Sequence, residues 1–200
     1  MKNIAIVILA AGKSSRMSAI KQLEKINNKT LLEITLEKVN SIFSKNIFCV
    51  LGANYEKIRQ KINTENIEFI QNNHFENGLS SSIVASLHYF KNNKLKFDGV
   101  FILLADQPAI ETSYLEAMYN LFQRKKQLII ASNYGNKLGA PVIIPKKHFS
   151  SLLLIEGDKG AQEFINNKKN EVIYPRQATN LFDIDTKEDL LIYQNSFLNS

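Results

Sequence analysis

The residues of this 200-residue sequence best suited to chemistry on phosphate begin with Leu9-Ala10-Ala11-Gly12-Lys13-Ser14-Ser15-Arg16-Met17, with Lys21-Gln22-Leu23 close behind. Two alanines and a glycine carry little side chain, so a ligand can approach the backbone closely, and exposed N–H groups in such a turn cradle anions. Lys13, Arg16 and Lys21 add three cations within nine positions, and Ser14 and Ser15 add hydroxyl donors. Arg grips phosphate oxygens in a bidentate fork, while Lys acts as a mobile point charge. A second stretch, Ala105-Asp106-Gln107-Pro108, closes an apolar run with a carboxylate. An isolated Asp there could simply cap a loop. Beside a polyphosphate cradle it reads as a Mg²⁺ ligand, because Mg²⁺ takes one or two carboxylates plus substrate phosphates. The third stretch is Leu181-Phe182-Asp183-Ile184-Asp185-Thr186-Lys187-Glu188-Asp189-Leu190. In an extended segment alternate side chains share a face, so Phe182 and Ile184 point one way and Asp183 and Asp185 the other.

The elements around these stretches alternate. Ile4-Ala5-Ile6-Val7-Ile8 is an unbroken apolar run, as expected of a strand buried on both faces. Thr30-Leu31-Leu32-Glu33 has the spacing of a capping box, predicting a helix to about Phe43 with Leu32, Leu36, Val39 and Phe43 on one stripe. Ile47–Leu51 reads as a strand, Tyr55–Ile62 as a short helix and Ile67–Ile70 as a third strand. Gly99–Leu104 is another buried strand. Thr112 is expected to cap a helix to about Gln123, and Leu128–Ser132 and Glu171–Tyr174 read as strands. The pattern predicts an α/β sandwich with a mostly parallel sheet, whose ligands bind beyond the C-terminal ends of the strands.

Composition narrows the class. With 44% hydrophobic residues and no linker, repeat or low-complexity tract, residues 1–200 are expected to form one domain. The net charge of +6 could suit nucleic acid, an acidic membrane or an anionic small substrate. The lysines are scattered over predicted helix surfaces and turns with no basic stripe interleaved with aromatics, so neither a nucleic-acid nor a membrane partner is expected. Cys49, the one cysteine, lies in an apolar run and reads as core. No leader-like or membrane-length segment is seen, so a cytoplasmic protein is expected.

Three further segments carry polar residues with two readings each. Asn72 leads through Asn77-Gly78-Leu79 into Ser80-Ser81-Ser82 and a helix to about Phe90. One serine can cap that helix; three exceed what a cap needs, and the surplus hydroxyls suit a ribose, a base edge or a phosphate. Gly139-Ala140-Pro141 reads as a turn before an edge strand. Gly157-Asp158-Lys159-Gly160 could be a turn joining two elements.

Taken together, the motifs resemble those of the molybdenum cofactor cytidylyltransferases within the MobA-like NTP transferase family. The similarity runs from Leu9 to Leu190 in the family's order. It is not a Walker A loop, which would need glycine where this chain has Val7. Ala11 and Ala105 stand where guanylyltransferase relatives usually carry Gly and Cys, which leans toward CTP. Ser18, Ile20, Ala140 and Lys187 depart from the commonest pattern, and Ala140 stands where many relatives carry an acceptor-side His or Arg. The resemblance implies a three-layer α/β/α, Rossmann-like nucleotidyltransferase (GT-A-like) domain with a mostly parallel mixed sheet. It implies a nucleotide site from Leu9, Ala10, Ala11, Gly12, Arg16, Lys21, Asn72, Gly78, Ser80, Ser81, Ser82 and Asp106, with Arg16, Lys21 and Asp106 catalytic. Mg²⁺ would be held by Asp106 with Asp183 or Asp185, and the acceptor by Gly139, Pro141, Gly157, Asp158, Lys159 and Gly160. The implied reaction transfers CMP from CTP to the molybdopterin form of the molybdenum cofactor, releasing pyrophosphate; a molybdenum hydroxylase would be the onward partner. Guanylyltransfer to molybdopterin, transfer to a sugar or polyol phosphate, and a non-catalytic pterin carrier are the alternatives.

Overall fold

The computed structural model describes residues 3–14, 17, 19–62 and 66–197. Strand β1 (Ile4–Ala10) is buried along its whole length. A short hairpin, β2 (Lys25–Ile26) and β3 (Lys29–Thr30), leads into α1 (Leu31–Ile42). Thr30 caps that helix through the expected reciprocal box with Glu33. Then follow β4 (Ile47–Leu51), α2 (Tyr55–Lys61), β5 (Ile67–Gln71), α3 (Leu79–Asn92) and β6 (Gly99–Leu104). The remaining elements are α4 (Thr112–Arg124), β7 (Ile129–Asn133), β8 (Leu138–Pro145), α5 (Phe149–Leu152), α6 (Gly160–Asn166), β9 (Val172–Ile173) and α7 (Lys187–Phe197).

Seven strands form one sheet in the order β5-β4-β1-β6-β8-β7-β9. Pairings β1–β4, β1–β6, β4–β5 and β7–β9 are parallel, while β8 runs antiparallel to both β6 and β7. The sheet is therefore mixed and mostly parallel. The side-chain period of two divides β1 between two cores. Ile4, Ile6 and Ile8 pack with Leu32, Leu36 and Val39 of α1 and with Met118 and Phe122 of α4. Ala5, Val7 and Leu9 pack with Ile83, Leu87 and Phe90 of α3 and with Ala161 and Ile165 of α6. Helices thus cover both faces, which is why β1, β4 and β6 read as unbroken apolar runs rather than alternating ones. A smaller cluster of Ile26, Leu31, Ala109, Ile184, Leu190 and Tyr193 docks α7. Among the described residues no helix is long and apolar enough to cross a membrane.

Two sequence expectations are corrected here. Gly139-Ala140-Pro141 is not a turn before an edge strand but lies inside β8, between β6 and β7. A proline is tolerated there because the β7–β8 register shifts between Ala131 and Ser132, interrupting the ladder. Thr112 does not cap α4: the cap position is Glu111, with no side-chain bond to the helix.

Candidate active site

The sheet reverses its order at β1. Strands β4 and β5 lie on one side of it and β6 on the other. Ligands of open α/β sheets bind at such a switch point, beyond the C-terminal strand ends. Here a cleft of about 530 Å³ opens at that place, lined by residues from Leu9 to Ser14, by Lys21, Gln22 and Asp106, and by Asp183 and Asp185.

The loop after β1 is tied from within. Gln22 Nε2 donates to the carbonyls of Ala10 (2.8 Å) and Gly12 (3.2 Å). The Ser14 hydroxyl donates to Gln22 Oε1 at 3.2 Å and accepts from Lys21 N at 3.0 Å. Ser14 is thus a staple of the loop rather than a free donor for a ligand, and its positive φ of 58° belongs to that turn. The space before Gly12 is open: a Cβ there would meet nothing within 4 Å. Arg16 and Ser15, both expected at this site, lie outside the described residues.

Asp106 follows β6 beside this loop, because Leu9 pairs with Leu104 and Ala105 N donates to Leu9 O at 3.1 Å. The bend that carries it is pinned by four groups. Thr35 Oγ1 donates to Ala105 O, and Lys38 Nζ donates to Pro108 O and Ile110 O. Tyr193 of α7 donates to Pro108 O, and Ile184 N donates to Asp106 O at 2.9 Å. That last bond lays the 181–185 segment along Asp106. Ile184, fully buried, and Phe182 face the α7 cluster, while Asp183 and Asp185 face the cleft, as their alternation implied.

Lys21 is the centre of charge. Its ammonium donates to Asp106 Oδ2 at 2.7 Å and to Asp185 Oδ1 at 3.0 Å. Burial alone would lower its pKa, but the two carboxylates together raise it above the ordinary lysine value. Asp183 accepts from Gln107 Nε2 at 2.8 Å, and burial, helped by the charge of Asp106, raises its pKa. Asp106 Oδ1 is buried without a hydrogen-bond partner. Two ammonium groups, Lys13 and Lys21, face five carboxylates, Glu76, Asp106, Asp158, Asp183 and Asp185, among the described cleft residues. Among the described residues no group of three or more His, Cys, Asp or Glu side chains could hold a metal ion. The oxygen donors that are present, the orphaned Asp106 Oδ1 and the neighbouring Asp183 carboxylate, are of the hard kind that suits a divalent cation completed by phosphate oxygens.

The other wall differs from expectation. The serines do not precede α3 but form its first turn, and Gly78 is the cap, without a side-chain bond. Capping comes from a distant loop: Asp158 Oδ1 accepts from Leu79 N at 3.1 Å, and Gly157 O accepts from Ser80 N at 3.1 Å. Ser80 and Ser82 are buried, with Ser80 Oγ donating to Glu156 O and Ser82 Oγ accepting from Asn72 Nδ2. Asn72 also donates to Ser81 Oγ, which donates to Gly78 O. Of these residues Gly78, Ser82 and Asp158 line the cleft; Asn72, Ser80 and Ser81 do not. A smaller, largely apolar cavity of about 130 Å³ adjoins it, lined by Gly139, Tyr134, Lys137 and Asp158 among others. Pro141, Gly157, Lys159 and Gly160 line neither cavity. Gly160 instead permits close packing, since a Cβ there would come within 2.8 Å of Ser80 Oγ. Sequence reasoning gave no role to Gln22, Gln107, Tyr134 or Glu76. Gln22 and Gln107 each sit beside a residue it did single out, which was the available signal.

The mixed, mostly parallel sheet covered by helices on both faces, with its cleft at the switch point, is an α/β nucleotidyltransferase fold. The chain belongs to the MobA-like NTP transferase family, whose domain model matches residues 6–172, and it is a transferase domain of that family. It is 30% identical over 148 residues to the bifunctional protein GlmU of Ruthia magnifica subsp. Calyptogena magnifica, covering 73% of this chain and 31% of that protein. The chain spans about a third of the length of such curated relatives. Its fold is similar to that of Rv0371c from Mycobacterium tuberculosis H37Rv (TM-score 0.82, 22% identity, 98% of this chain and 99% of that one). A manganese complex of Rv0371c is also similar (TM-score 0.77, 20% identity, 98% and 99% covered). So is the molybdopterin-guanine dinucleotide biosynthesis protein A of Archaeoglobus fulgidus (TM-score 0.71, 18% identity, 98% and 100% covered). At these identities the structural likeness establishes the fold.

Proposed function

We propose that this chain transfers a nucleotidyl group from an NTP to a small phosphorylated acceptor with release of pyrophosphate, and that the pair is CTP and molybdopterin. The observation that carries the transfer reading is the Lys21–Asp106–Asp185 cluster, with the orphaned Asp106 Oδ1, beside the open backbone at Gly12. Ala11 and Ala105, standing where guanylyl-transferring relatives usually carry Gly and Cys, support CTP. Membership of the MobA-like family and the name of the Archaeoglobus relative support a molybdopterin acceptor.

In this reading the backbone at Gly12 receives the triphosphate, with Lys21 and Arg16 supplying positive charge. Asp106 with Asp183 or Asp185 would hold Mg²⁺, which when bound neutralises phosphate charge. Lys21 bridges Asp106 and Asp185, and its ammonium would shift from those carboxylates toward the phosphates as the cation binds. An acceptor phosphate oxygen attacks the α-phosphorus in line, its bond forms as the bond to pyrophosphate breaks, and pyrophosphate leaves. The attacking phosphate is already ionised, so no protein base is required, and catalysis rests on positioning and charge neutralisation. The acceptor enters from the side of the 130 Å³ cavity, where Gly139 and Asp158 lie.

The test is pyrophosphate release by the purified chain with Mg²⁺, molybdopterin and each of CTP, GTP, ATP and UTP in turn. Release with CTP alone is expected. Release with GTP would move the chain to guanylyltransfer and discard the argument from Ala11 and Ala105. No release from folded protein with any nucleotide would exclude molybdopterin as acceptor; sugar phosphates would then be tried with the same four nucleotides.

A further inference from the structure

Asp183 is held by a run of hydrogen bonds that starts outside the cleft. Tyr134 lies just after β7, and its hydroxyl donates to Ala140 O of β8 at 2.5 Å. With its only proton committed, the phenol oxygen can only accept, and it accepts from Gln107 Nε2 at 2.8 Å. Burial pushes the Tyr134 phenol up to about 12, so that proton stays in place at physiological pH. The same Gln107 nitrogen donates its other proton to Asp183 Oδ1 at 2.8 Å. A reversed Gln107 amide would set its carbonyl oxygen against a carboxylate, so the network allows one orientation. That orientation leaves Gln107 Oε1 buried without a partner, in a side chain only 4% exposed. A buried orphaned carbonyl is costly, and a native structure keeps one where something else is gained.

We propose that Gln107 and Tyr134 are positioning residues that fix Asp183 toward the cation site, with the Ala140 carbonyl of β8 as the anchor. The inference rests on the reading of Asp183 as a cation ligand. It gives Gln107 a reason to follow Asp106 directly: one bend supplies a ligand from position 106 and a clamp for a second from position 107. Tyr134 also lines the smaller cavity, so an acceptor seated there would touch the far end of the same run.

The experiment is Mn²⁺ binding to the full chain, followed by loss of the free-ion electron paramagnetic resonance signal. It is run beside the Mg²⁺ concentration giving half-maximal pyrophosphate release, on wild type, Tyr134→Phe, Gln107→Leu and Asp183→Ala. Loss of an outer group that orients a metal ligand typically weakens metal affinity roughly 10- to 100-fold. Tyr134→Phe and Gln107→Leu are expected in that range, with the half-maximal Mg²⁺ rising in step and saturating Mg²⁺ restoring most of kcat. Unchanged Mn²⁺ affinity in both, with Asp183→Ala weakened, would overturn the positioning role and leave Asp183 as a ligand. Unchanged affinity in Asp183→Ala, or no Mn²⁺ bound by wild type, would overturn the reading of Asp183 and this inference with it. If Gln107→Leu does not fold, Tyr134→Phe, which removes one oxygen, decides alone.

Discussion

Polar residues flank the cleft at both ends, and they are used in opposite ways. At the α3 end the side chains of Asn72, Ser80, Ser81, Ser82 and Asp158 are spent on one another, on the helix start at Gly78 and Leu79, or on the Glu156 carbonyl. At the β1–β6 end, among the described residues, the backbone at Gly12 faces open space and Asp106 Oδ1 lacks a partner. Polar groups that satisfy one another make scaffold; polar groups left unsatisfied or unbalanced make a site that awaits a ligand. Chemically suggestive residue types mark both ends in the sequence. Only hydrogen-bond completeness tells them apart.

The difference is broken most severely at the charged end. Asp106→Asn removes a charge that faces Lys21, yet the side chain keeps its size and the loop its backbone pins at Thr35, Lys38 and Ile184. Pyrophosphate release is expected to fall by at least about 100-fold, the scale of losing one group aimed at transition-state charge. The far-ultraviolet circular dichroism spectrum should stay native. Full turnover of this variant at saturating Mg²⁺ would remove Asp106 from the cation site.

Gly78→Ala should do the reverse, damaging the fold first. Gly78 has φ 87° and ψ 179°, a conformation nearly closed to residues with a Cβ. A Cβ there would also come within 2.5 Å of the Gly157 carbonyl carbon and 2.7 Å of Asp158 N. A loss of about 3 kcal/mol in urea unfolding is expected, from strain plus displacement of the loop that caps α3. Unchanged stability would mean that the α3 end is loosely held.

What the sequence made legible follows the range of the interactions. Strands β4 and β6 were readable to the residue because both faces are buried, leaving continuous apolar runs bounded by polar turns. The Thr30–Glu33 box and the alternation of Asp183 and Asp185 are local patterns, and both appear as expected. The serines misled because their helix is capped by Asp158, 79 residues away from Leu79, so the local surplus of hydroxyls had another use. Pro141 argued for an edge strand because a missing N–H is easiest to accommodate there; the register shift opposite it is a tertiary feature. The Gln107–Tyr134 bond spans 27 residues and depends on how β8 threads between β6 and β7. No spacing rule could have announced it.

Asp158→Ala tests whether the α3 end is scaffold alone. Asp158 accepts from Leu79 N and also lines both cavities. Loss of a helix-capping acceptor costs about 1 kcal/mol. If the residue acts as a cap, thermal unfolding should shift by a few degrees while the acceptor KM stays near wild type. A raised KM with unchanged melting would place a ligand contact at this end and soften the contrast between the two.

The smallest effect is expected where the ends meet. Lys13 of the loop after β1 pairs with Glu76 at 2.5 Å and lies 5.7 Å from the Phe75 ring centroid, bridging the loop to the turn before α3. Both side chains are more than half exposed, so melting should not respond to either substitution. The bond to Lys13 holds the Glu76 carboxyl below its usual pKa, so the pair is intact at neutral pH and is lost as pH falls through that lowered value. Under the proposed function, an incoming triphosphate would compete with Glu76 for the ammonium. Glu76→Gln should therefore lower the KM for nucleotide by about two- to fivefold, and Lys13→Ala should raise it by a similar factor. Both shifts should shrink as salt is raised from low to physiological strength, because an exposed charge acts through screened water. Equal KM values in wild type and both variants at low salt would mean that Lys13 faces no phosphate. The nucleotide would then rest on the interior of the charged end alone, on Gly12, Lys21 and the carboxylates around it.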